Sequence, residues 1–396
     1  MSGTQEYVVL RWHQRPTITA QGPLAETRSA RVERLDIAVA DLSEREATRL
    51  RKDPQYTAAP AMPLELIEPV RITKSGGAGD STPRNAWGLD AVGATSSHWN
   101  GSGIVVAVLD TGIDRYHKAF SHMRPENIEE RDFTGEGDGD THGHGTHCAG
   151  TIFGSTVDGV RIGVASGIKR ALVAKVISRH GASTPSLVSA IQWALDGGAN
   201  VVSMSLGMDF PGYTESLIEK GFPADLASSK ALEGYRDNIR LFGSLSDFIR
   251  HRSSAYQTAI IVAAAGNESR RDISVDHTIT VAPPAAADGI ISVGAVARDG
   301  DTFSVAPFSN VGPTLCAPGV DVLSAHTGGG TSLMSGTSMA APHVAGVAAL
   351  WAEWLMIKMR RISADALIQK LSGTALAIAD ADFSDVGIGL VHVPPE

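Results

Sequence analysis

From Trp87 onward, short apolar runs alternate with segments of helical periodicity, and this alternation constrains the fold more than any other feature. Short runs that are nearly all apolar are typical of parallel strands covered by helices on both faces. Strands that alternate with helices form parallel sheets. The sequence therefore predicts an α/β fold with a mostly parallel central sheet and helices on both faces. Its predicted strands are Ile104–Leu109, Ala171–Ile177, Val201–Leu206, Ala259–Ala265 and Ile290–Val296.

One helix is predicted between the second and third of these runs. Thr184 can cap it, Pro185 suits its first position, and Gly197 with Gly198 ends it. In folds of this kind, reactive groups collect at the carboxyl ends of the strands. Polar residues that directly follow an apolar run are therefore the first candidates for a functional site.

The N-terminal part, residues 1–73, has a different pattern and is predicted to be a small α+β domain. A helix is expected from Asp41 to Pro54, because Ser43 and Glu46 form a capping box and the proline stops the helix. The run Leu64–Ile72 is predicted to be a strand that follows it.

A linker is predicted at residues 74–86, which begin with a stretch rich in glycine and serine. Exposed segments of this composition are readily cut by proteases, so a processing site is expected there. Residues 87–396 then form the second domain.

The net charge of −9 comes wholly from acidic residues after residue 73. An acidic surface repels phosphate backbones, so no nucleic-acid partner is expected. The N-terminus lacks a basic stretch followed by a long apolar run, and no membrane span of ~18–20 apolar residues is expected. We therefore predict a cytoplasmic protein, with export by another route left open. Cys148 and Cys316 are predicted to be reduced, buried thiols.

Three polar residues stand where such a fold would gather them. Asp110 directly follows five apolar strand residues and is either a functional carboxylate or a turn residue. His144 lies between two glycines, which leave room for a substrate backbone. Ser338 precedes an apolar helical run and is therefore expected near a helix N-terminus. Free N–H groups and the helix dipole favour developing negative charge there, although a capping serine fits the same pattern.

His142, His144 and His147 also form a pattern similar to the zinc-binding segment of metallo-β-lactamase-like hydrolases. That family has an aspartate before the last histidine, where this chain has Thr146. A zinc-dependent hydrolase that uses the three histidines is therefore one alternative. In another, the first and last histidines are ordinary surface and packing residues.

Three segments together resemble the signatures of the subtilisin-like serine proteases. They are Asp-Thr-Gly-Ile-Asp from residue 110, His-Gly-Thr-His-Cys-Ala-Gly from residue 144 and Gly-Thr-Ser-Met-Ala-Ala-Pro-His-Val-Ala-Gly from residue 336. The resemblance implies a subtilisin-like fold and a serine endopeptidase that acts on protein or peptide substrates. In it, Ser338 is the nucleophile, His144 is the general base, and Asp110 orients the imidazole. No cofactor is implied for catalysis.

The same resemblance assigns two further roles. Asn267 follows an apolar run and is expected to bind the oxyanion through its side-chain N–H, together with the backbone N–H of Ser338. Ser205, Leu206 and Gly207 are expected to form the substrate-binding strand, whose backbone pairs with an extended peptide.

The calcium site of that family is not expected here. The family has an aspartate nine residues after the catalytic one, where this chain has Ala119. A separate acidic stretch with Glu136, Asp138 and Asp140 is a solvated loop, a calcium site or a determinant for basic substrates. We therefore predict no catalytic metal and leave structural calcium open.

The N-terminal domain resembles the inhibitory propeptide of these proteases. The resemblance implies that this domain is an intramolecular inhibitor and a folding chaperone, which the enzyme itself releases by cutting between Ser75 and Trp87. The family's first helix should fall near residues 15–30, where Pro16 and Pro23 oppose it. A permanent docking domain is the alternative, and a non-catalytic protease-like scaffold is the alternative for the whole chain.

Two departures concern the cleft. The span from Met208 to Arg252 is longer than in short secreted members of that family and is predicted to be a lid or specificity element, or else a surface insertion. Cys148 lies one helical turn after His144, so a bulky reagent on its thiol should disturb the imidazole.

Overall fold

The computed structural model describes residues 4–14, 32–70, 86–251 and 258–395. The linker predicted at residues 74–86 lies outside the described residues except for Ala86, and so does the stretch 15–31 with Pro16 and Pro23. The described N-terminal elements are β1 (Gln5–Gln14), β2 (Val32–Leu42), α1 (Glu44–Arg51), β3 (Tyr56–Pro60) and β4 (Pro63–Leu66).

The N-terminal domain is built on an antiparallel sheet in the order β2-β1-β3. Helix α1 begins after Ser43, and its predicted capping box with Glu46 is present. The helix is shorter than predicted, because β2 continues to Leu42. The strand predicted at Leu64–Ile72 is observed as β4 at Pro63–Leu66, residues 67–70 follow it without strand structure, and residues 71 and 72 lie outside the described ones. Strand β4 does not join this sheet and pairs with the second domain.

The second domain alternates strands and helices as predicted. Its elements are α2 (Trp87–Ala91), β5 (Val105–Asp110), β6 (Ile128–Asp132), α3 (His144–Phe153), β7 (Thr156–Val157), β8 (Val160–Arg161), β9 (Arg170–Lys175), β10 (Ala182–Ser183), α4 (Thr184–Asp196), β11 (Val201–Met204), β12 (Leu206–Met208), α5 (Phe210–Glu219), α6 (Ala224–His251), β13 (Ile260–Ala264), β14 (Ile291–Asp299), β15 (Thr302–Val305), β16 (Leu315–Pro318), β17 (Val322–Ala325), β18 (Thr331–Met334), α7 (Thr337–Met359), α8 (Ala364–Gly373) and α9 (Phe383–Val386). Lys118–Phe120 and Pro125–Asn127 form short 3₁₀ helices.

The central sheet has eight strands in the order β15-β14-β13-β11-β5-β9-β6, with β16 also paired to β14. Every pairing in it is parallel except that of β15 with β14. The five predicted strands are all present, so the α/β prediction is confirmed. The run predicted at Val201–Leu206 divides at Ser205 into β11 and β12, because the chain leaves the central sheet there.

Two hydrophobic clusters cover the faces of this sheet. One contains buried residues of α3 and α7, and the other contains buried residues of α4 and α6. Side chains of the N-terminal domain, among them Val8, Leu10 and Met62, belong to the second cluster. The two domains therefore share one continuous apolar core.

Helix α4 begins one residue earlier than predicted. Ser183 is its N-cap and forms a capping box with Ser186. Thr184, the predicted cap, is buried, and its hydroxyl instead donates to Oδ1 of Asn238 and accepts from the backbone N–H of Met62. A contact between distant segments therefore overrides the local capping preference.

Among the described helices, α7 alone is long and apolar enough to span a membrane. The sequence predicts no apolar run of this length. The most apolar window of α7 is 83% buried inside the protein. Here α7 is thus the core helix of a packed domain, and all of its first twelve residues are buried.

We predict that Gly346→Ala in α7 destabilises the fold. A Cβ at this position would lie 2.6 Å from Cβ of Val164, so close-packed backbone must move. The expected loss is about 1–3 kcal/mol of unfolding free energy. The matched control is Gly373→Ala in α8, where a Cβ meets nothing within 4 Å and is expected to be neutral or slightly stabilising. Denaturant unfolding in a Ser338→Ala background checks both, and an unchanged midpoint for Gly346→Ala would contradict the packing argument.

Candidate active site

The site begins at the carboxyl edge of the central sheet, where β5 ends at Asp110. His144 is the first residue of α3, and its Nδ1 lies 2.8 Å from Oδ1 of Asp110. Both side chains are buried, with exposed fractions of 0% and 1%. The structure thus brings together two of the predicted site residues, which lie 34 positions apart in the sequence.

The Asp110 carboxylate changes the protonation of the His144 ring. Burial on its own would lower the pKa of His144, because it disfavours the charged imidazolium. The charge and hydrogen bond of Asp110, together with the neighbouring Cys148, outweigh this effect and raise the pKa of His144 well above its ordinary value. A hydrogen bond from Nδ1–H to Asp110 leaves Nε2 free to accept a proton. Within the described chain, Nε2 has no hydrogen-bond partner.

A second buried carboxylate, Asp140, holds this pair in place. Its Oδ1 accepts hydrogen bonds from the hydroxyl of Thr111 and the backbone N–H groups of His142 and Gly143. Its Oδ2 accepts from the backbone and hydroxyl of Thr146. Asp140 therefore joins the end of β5 to the first turn of α3. Sequence reasoning placed it in an acidic loop and missed this role.

Ser338 is the second residue of α7, near the helix N-terminus as predicted. Its Oγ donates a 2.8 Å hydrogen bond to the carbonyl oxygen of Ile67, in the N-terminal domain. Cys148 connects this residue to the histidine, because its Sγ lies 3.7 Å from Nδ1 of His144 and 3.4 Å from the carbonyl oxygen of Ser338. The structure thus places Ser338 beside the buried pair.

Asn267 follows β13, and its amide is fixed in one orientation. Its Oδ1 accepts from both the backbone N–H and the hydroxyl of Thr337, each at 2.9 Å. Its Nδ2 therefore points into the cleft, where it donates to the carbonyl oxygen of Glu68 at 2.9 Å. Thr337 is a positioning residue that sequence reasoning missed, although it adjoins the serine in the motif.

The cleft contains a segment of the same chain. Strand β4 lies between β10 and β12 in a three-stranded antiparallel sheet. Opposite it lie Leu206 and Gly207, and the carbonyl of Ser205 accepts from the backbone N–H of Ile67 at 3.2 Å. The three residues predicted to bind substrate backbone thus bind the backbone of the N-terminal segment.

The segment continues past the site. The backbone N–H of Val70 donates to the carbonyl of Ser335 at 2.7 Å, on the far side of Ser338. Glu68 lies between these anchored residues, with its carboxylate 3.6 Å from Nε2 of His142. The chain therefore crosses the cleft on both sides of the serine.

The long span after Gly207 forms α5 and α6. Phe210 and Pro211 from α5, with Leu232 and Tyr235 from α6, line a largely apolar cavity of about 540 Å³ beside Ile67. Helix α6 also contacts the N-terminal domain, where Asn238 donates to the carbonyl of Pro60. The insertion therefore forms part of the cleft wall and part of the interface between the domains.

The three histidines of the zinc alternative do not converge. His147 is buried, and its Nε2 lies 3.0 Å from the carbonyl oxygen of Val322 and 3.2 Å from that of Ser332. His142 is half exposed and stands beside Glu68. Within the described residues, the one group whose atoms could hold a metal is Asp110, His144 and Cys148. The zinc alternative is therefore not favoured.

Two carboxylates of the acidic loop, besides Asp140, have partners within the protein. Asp132 accepts from the backbone N–H groups of Thr134 and Gly137, and Glu136 pairs with Lys175 at 3.3 Å. Ala119, at the position of the family's calcium ligand, is fully buried. Asp132 and Glu136 are therefore held by groups of the protein itself.

Comparison with known proteins gives a consistent picture. The subtilase family matches residues 101–381. Subtilisin DY from Bacillus licheniformis is 33% identical over 74% of this chain and 91% of its own length. The thermostable alkaline protease of Halalkalibacterium halodurans is 30% identical over 91% of this chain and 82% of its own. Subtilisin-like protease 1 of Arthroderma gypseum is 31% identical over 82% of this chain, which spans only 59% of that protein's length.

We predict that Asp110→Asn moves the pH dependence of activity. A general base must be neutral, so kcat/KM of the wild-type protein should rise through a pKa above the ordinary histidine value of 6.5. Without the carboxylate, the pKa falls and this rise should move to lower pH. Turnover should also drop by about 10⁴-fold, because the wrong tautomer is favoured. Peptide hydrolysis measured across pH checks this, and an unshifted profile would contradict the stated cause of the raised pKa.

We also predict that a mercurial inhibits peptide hydrolysis through Cys148. Mercury on Sγ would occupy the 3.7 Å space between the thiol and Nδ1 of His144 and displace the ring. Inhibition should disappear in Cys148→Val and persist in Cys316→Ala, which removes the second buried thiol. Equal inhibition of both variants would place the reactive group elsewhere.

Proposed function

We propose, from the premise that this chain belongs to the subtilase family of serine endopeptidases, that it hydrolyses peptide bonds through an acyl-enzyme on Ser338. The observation that carries the proposal is the buried Asp110–His144 hydrogen bond next to a serine at a helix N-terminus. A hydroxyl is a weak nucleophile at neutral pH, so a base must take its proton during attack. Nε2 of His144 has no other partner among the described groups and can take that role.

In the proposed reaction, Ser338 Oγ bonds to the peptide carbonyl carbon as its proton moves to His144. Asp110 stabilises the imidazolium that forms. Nδ2 of Asn267 and the backbone N–H of Ser338 donate to the oxyanion. The C–N bond then breaks, and the leaving amine takes the proton from His144. Water attacks the acyl-enzyme by the same route, which releases the second product and restores the serine.

We further propose that the N-terminal domain inhibits this site. Ser338 donates its hydroxyl proton to the carbonyl of Ile67, so this proton is not directed to His144. The oxyanion donor Asn267 is bonded to the carbonyl of Glu68, one residue farther along. The nucleophile and the oxyanion donor thus engage different peptide groups. No carbonyl is held by both, and the segment is bound without being poised for cleavage.

Contacts between the N-terminal domain and α6 hold the inhibitory segment in the cleft. Arg51 of α1 forms ion pairs with Glu233 and with the buried carboxylate of Asp237, both on α6. The hydroxyl groups of Thr57 and Ser244 are 3.2 Å apart. Arg240 lies 3.5 Å from the other carboxylate oxygen of Asp237, but without Arg51 this buried carboxylate loses its nearer partner, which is destabilising. Loss of Arg51 should therefore loosen the domain and uncover the cleft.

We propose that the enzyme cuts its own chain in the linker, between Ser75 and Trp87. Residues 71–85, which contain most of the predicted cleavage region, lie outside the described residues. The peptide bond placed beside Ser338 is Ile67–Glu68. Sequencing the N-terminus of the purified protein, with Ser338→Ala as the uncut reference, distinguishes a cut in the linker from a cut in the cleft. A cytoplasmic location likewise remains a prediction.

We predict that a fluorophosphonate probe labels Ser338 slowly in the full chain and faster in Arg51→Ala, because labelling requires the segment to leave the cleft. Arg49→Ala, an exposed arginine on the same helix, should label at the wild-type rate. Ser338→Ala should not be labelled. The rates are read from labelled protein separated on a gel.

The outcomes separate the alternatives. A zinc hydrolase would ignore the probe and lose activity to a chelator, and a scaffold would neither react nor cleave. Labelling at equal rates in the wild type and Arg51→Ala would refute inhibition by the docked domain while leaving the protease proposal intact.

A further inference from the structure

The inhibitory segment and the cleft carry like charges at one position. In the antiparallel pairing of β4 with β12, Glu65 lies opposite Gly207. The backbone N–H of Asp209 donates to the carbonyl of Pro63, which extends the pairing by one residue. Because side chains alternate between the two faces of a sheet, Glu65 and Asp209 share a face as diagonal neighbours. The opposite face holds the buried side chains of Leu64 and Met208.

Nothing on the cleft wall separates these two carboxylates. Gly207, directly opposite Glu65, has no side chain. Both acids line the cavity of about 540 Å³ and also a second cavity of about 860 Å³ on the other side of the segment's pairing, toward His142 and Lys175. Burial raises the pKa of Glu65, and so do the charge of Asp209, a hydrogen bond between the two carboxyl groups and the charge of Glu68. Lys175 and Arg179 line the larger of these cavities, but both pair with Glu136. Like charges at adjacent cross-strand positions are destabilising.

Asp209 is fixed in position. It is the N-cap of α5, and its Oδ1 accepts a 2.7 Å hydrogen bond from the backbone N–H of Gly212. A carboxylate held in this way loses little side-chain entropy when a cation pairs with it. It therefore presents a fixed negative charge to whichever residue occupies the position of Glu65.

The contacts of the segment define that position. Ile67 presents its carbonyl to Ser338 and its N–H to Ser205. These two contacts align Ile67 with the residue before the cleaved bond, although the oxyanion donor Asn267 holds the next carbonyl, that of Glu68. Glu65 is then two residues farther upstream. We infer that Asp209 selects a lysine or arginine as the third residue before the cleaved bond of substrates. Glu65 occupies this position in the inhibitory segment and is therefore a poor match to Asp209. The inference rests on the proposed protease function.

The expected consequence is an inhibitor that a basic substrate can displace. A lysine in place of Glu65 would exchange a repulsion for an ion pair with Asp209. Exposed charge pairs are individually weak, so exchanging a repulsion for an attraction should change a rate or affinity by about three- to tenfold. It should shrink at high salt, because mobile ions screen exposed charges.

The test uses two fluorogenic peptides that share the pattern Leu-X-Leu-Ile and differ only in X, which is Lys or Glu. Wild-type protein should show a three- to tenfold higher kcat/KM for the Lys peptide at low salt. In Asp209→Asn this preference should vanish, while the amide oxygen can still accept from Gly212. Asp225→Asn, at the exposed start of α6, is the matched control and should keep the preference.

A second measurement needs no peptide substrate. Fluorophosphonate labelling of Ser338 should slow in Glu65→Lys and return toward the wild-type rate in the double variant Glu65→Lys/Asp209→Asn. Equal cleavage of both peptides, or a preference that persists in Asp209→Asn, overturns the inference and leaves the protease proposal standing. If neither peptide is cleaved and no variant is labelled, the protease proposal itself fails.

Discussion

A buried imidazole can hold a proton only while a carboxylate faces it, and the site depends on this constraint. The hydrogen bond between His144 and Asp110 sits at the junction of a strand end and a helix start. Neither element could shift along its axis without separating the two charges in a low-dielectric interior. Asp140 opposes such a shift, because its carboxylate bonds to both elements. The close packing of α3 adds to this, since a Cβ on Gly145 would lie 2.2 Å from the carbonyl oxygen of Gly112.

Backbone hydrogen bonds hold the N-terminal segment in the cleft. Strand β11 of the central sheet ends at Met204, and after Ser205 the chain forms the short strand β12, which offers an edge outside that sheet. Strand β4 fills that edge and the one offered by β10. An extended peptide bound in this way is recognised mainly through its backbone, which every peptide shares. Discrimination between the segment around β4 and another peptide must then come from side chains, and Glu65 beside Asp209 is one such point.

The sequence predicts local structure well where the signal is local. The parallel strands, the capping box at Ser43 and the placement of Ser338 at a helix start all follow from periodicity and capping chemistry. Contacts between distant segments cannot be predicted in this way. Thr184 resembles a cap but is buried against Met62 and Asn238, and Asp140 resembles a loop acid but is a buried acceptor. Nothing in their neighbouring residues specifies these partners. The course of Ile67 and Glu68 through the cleft likewise depends on how two domains dock.

The shared apolar core links release of the N-terminal domain to the solubility of what remains. Val8, Leu10 and Met62 pack into the same cluster as Leu241, Phe242 and Leu245 of α6. Departure of the domain would turn this interior surface into an exposed apolar patch, and such patches promote self-association. An enzyme without this domain would then aggregate unless another protein surface covered the patch. If the cut domain stayed bound, the apolar surface would remain covered. Activity would then require only that the segment leave the cleft.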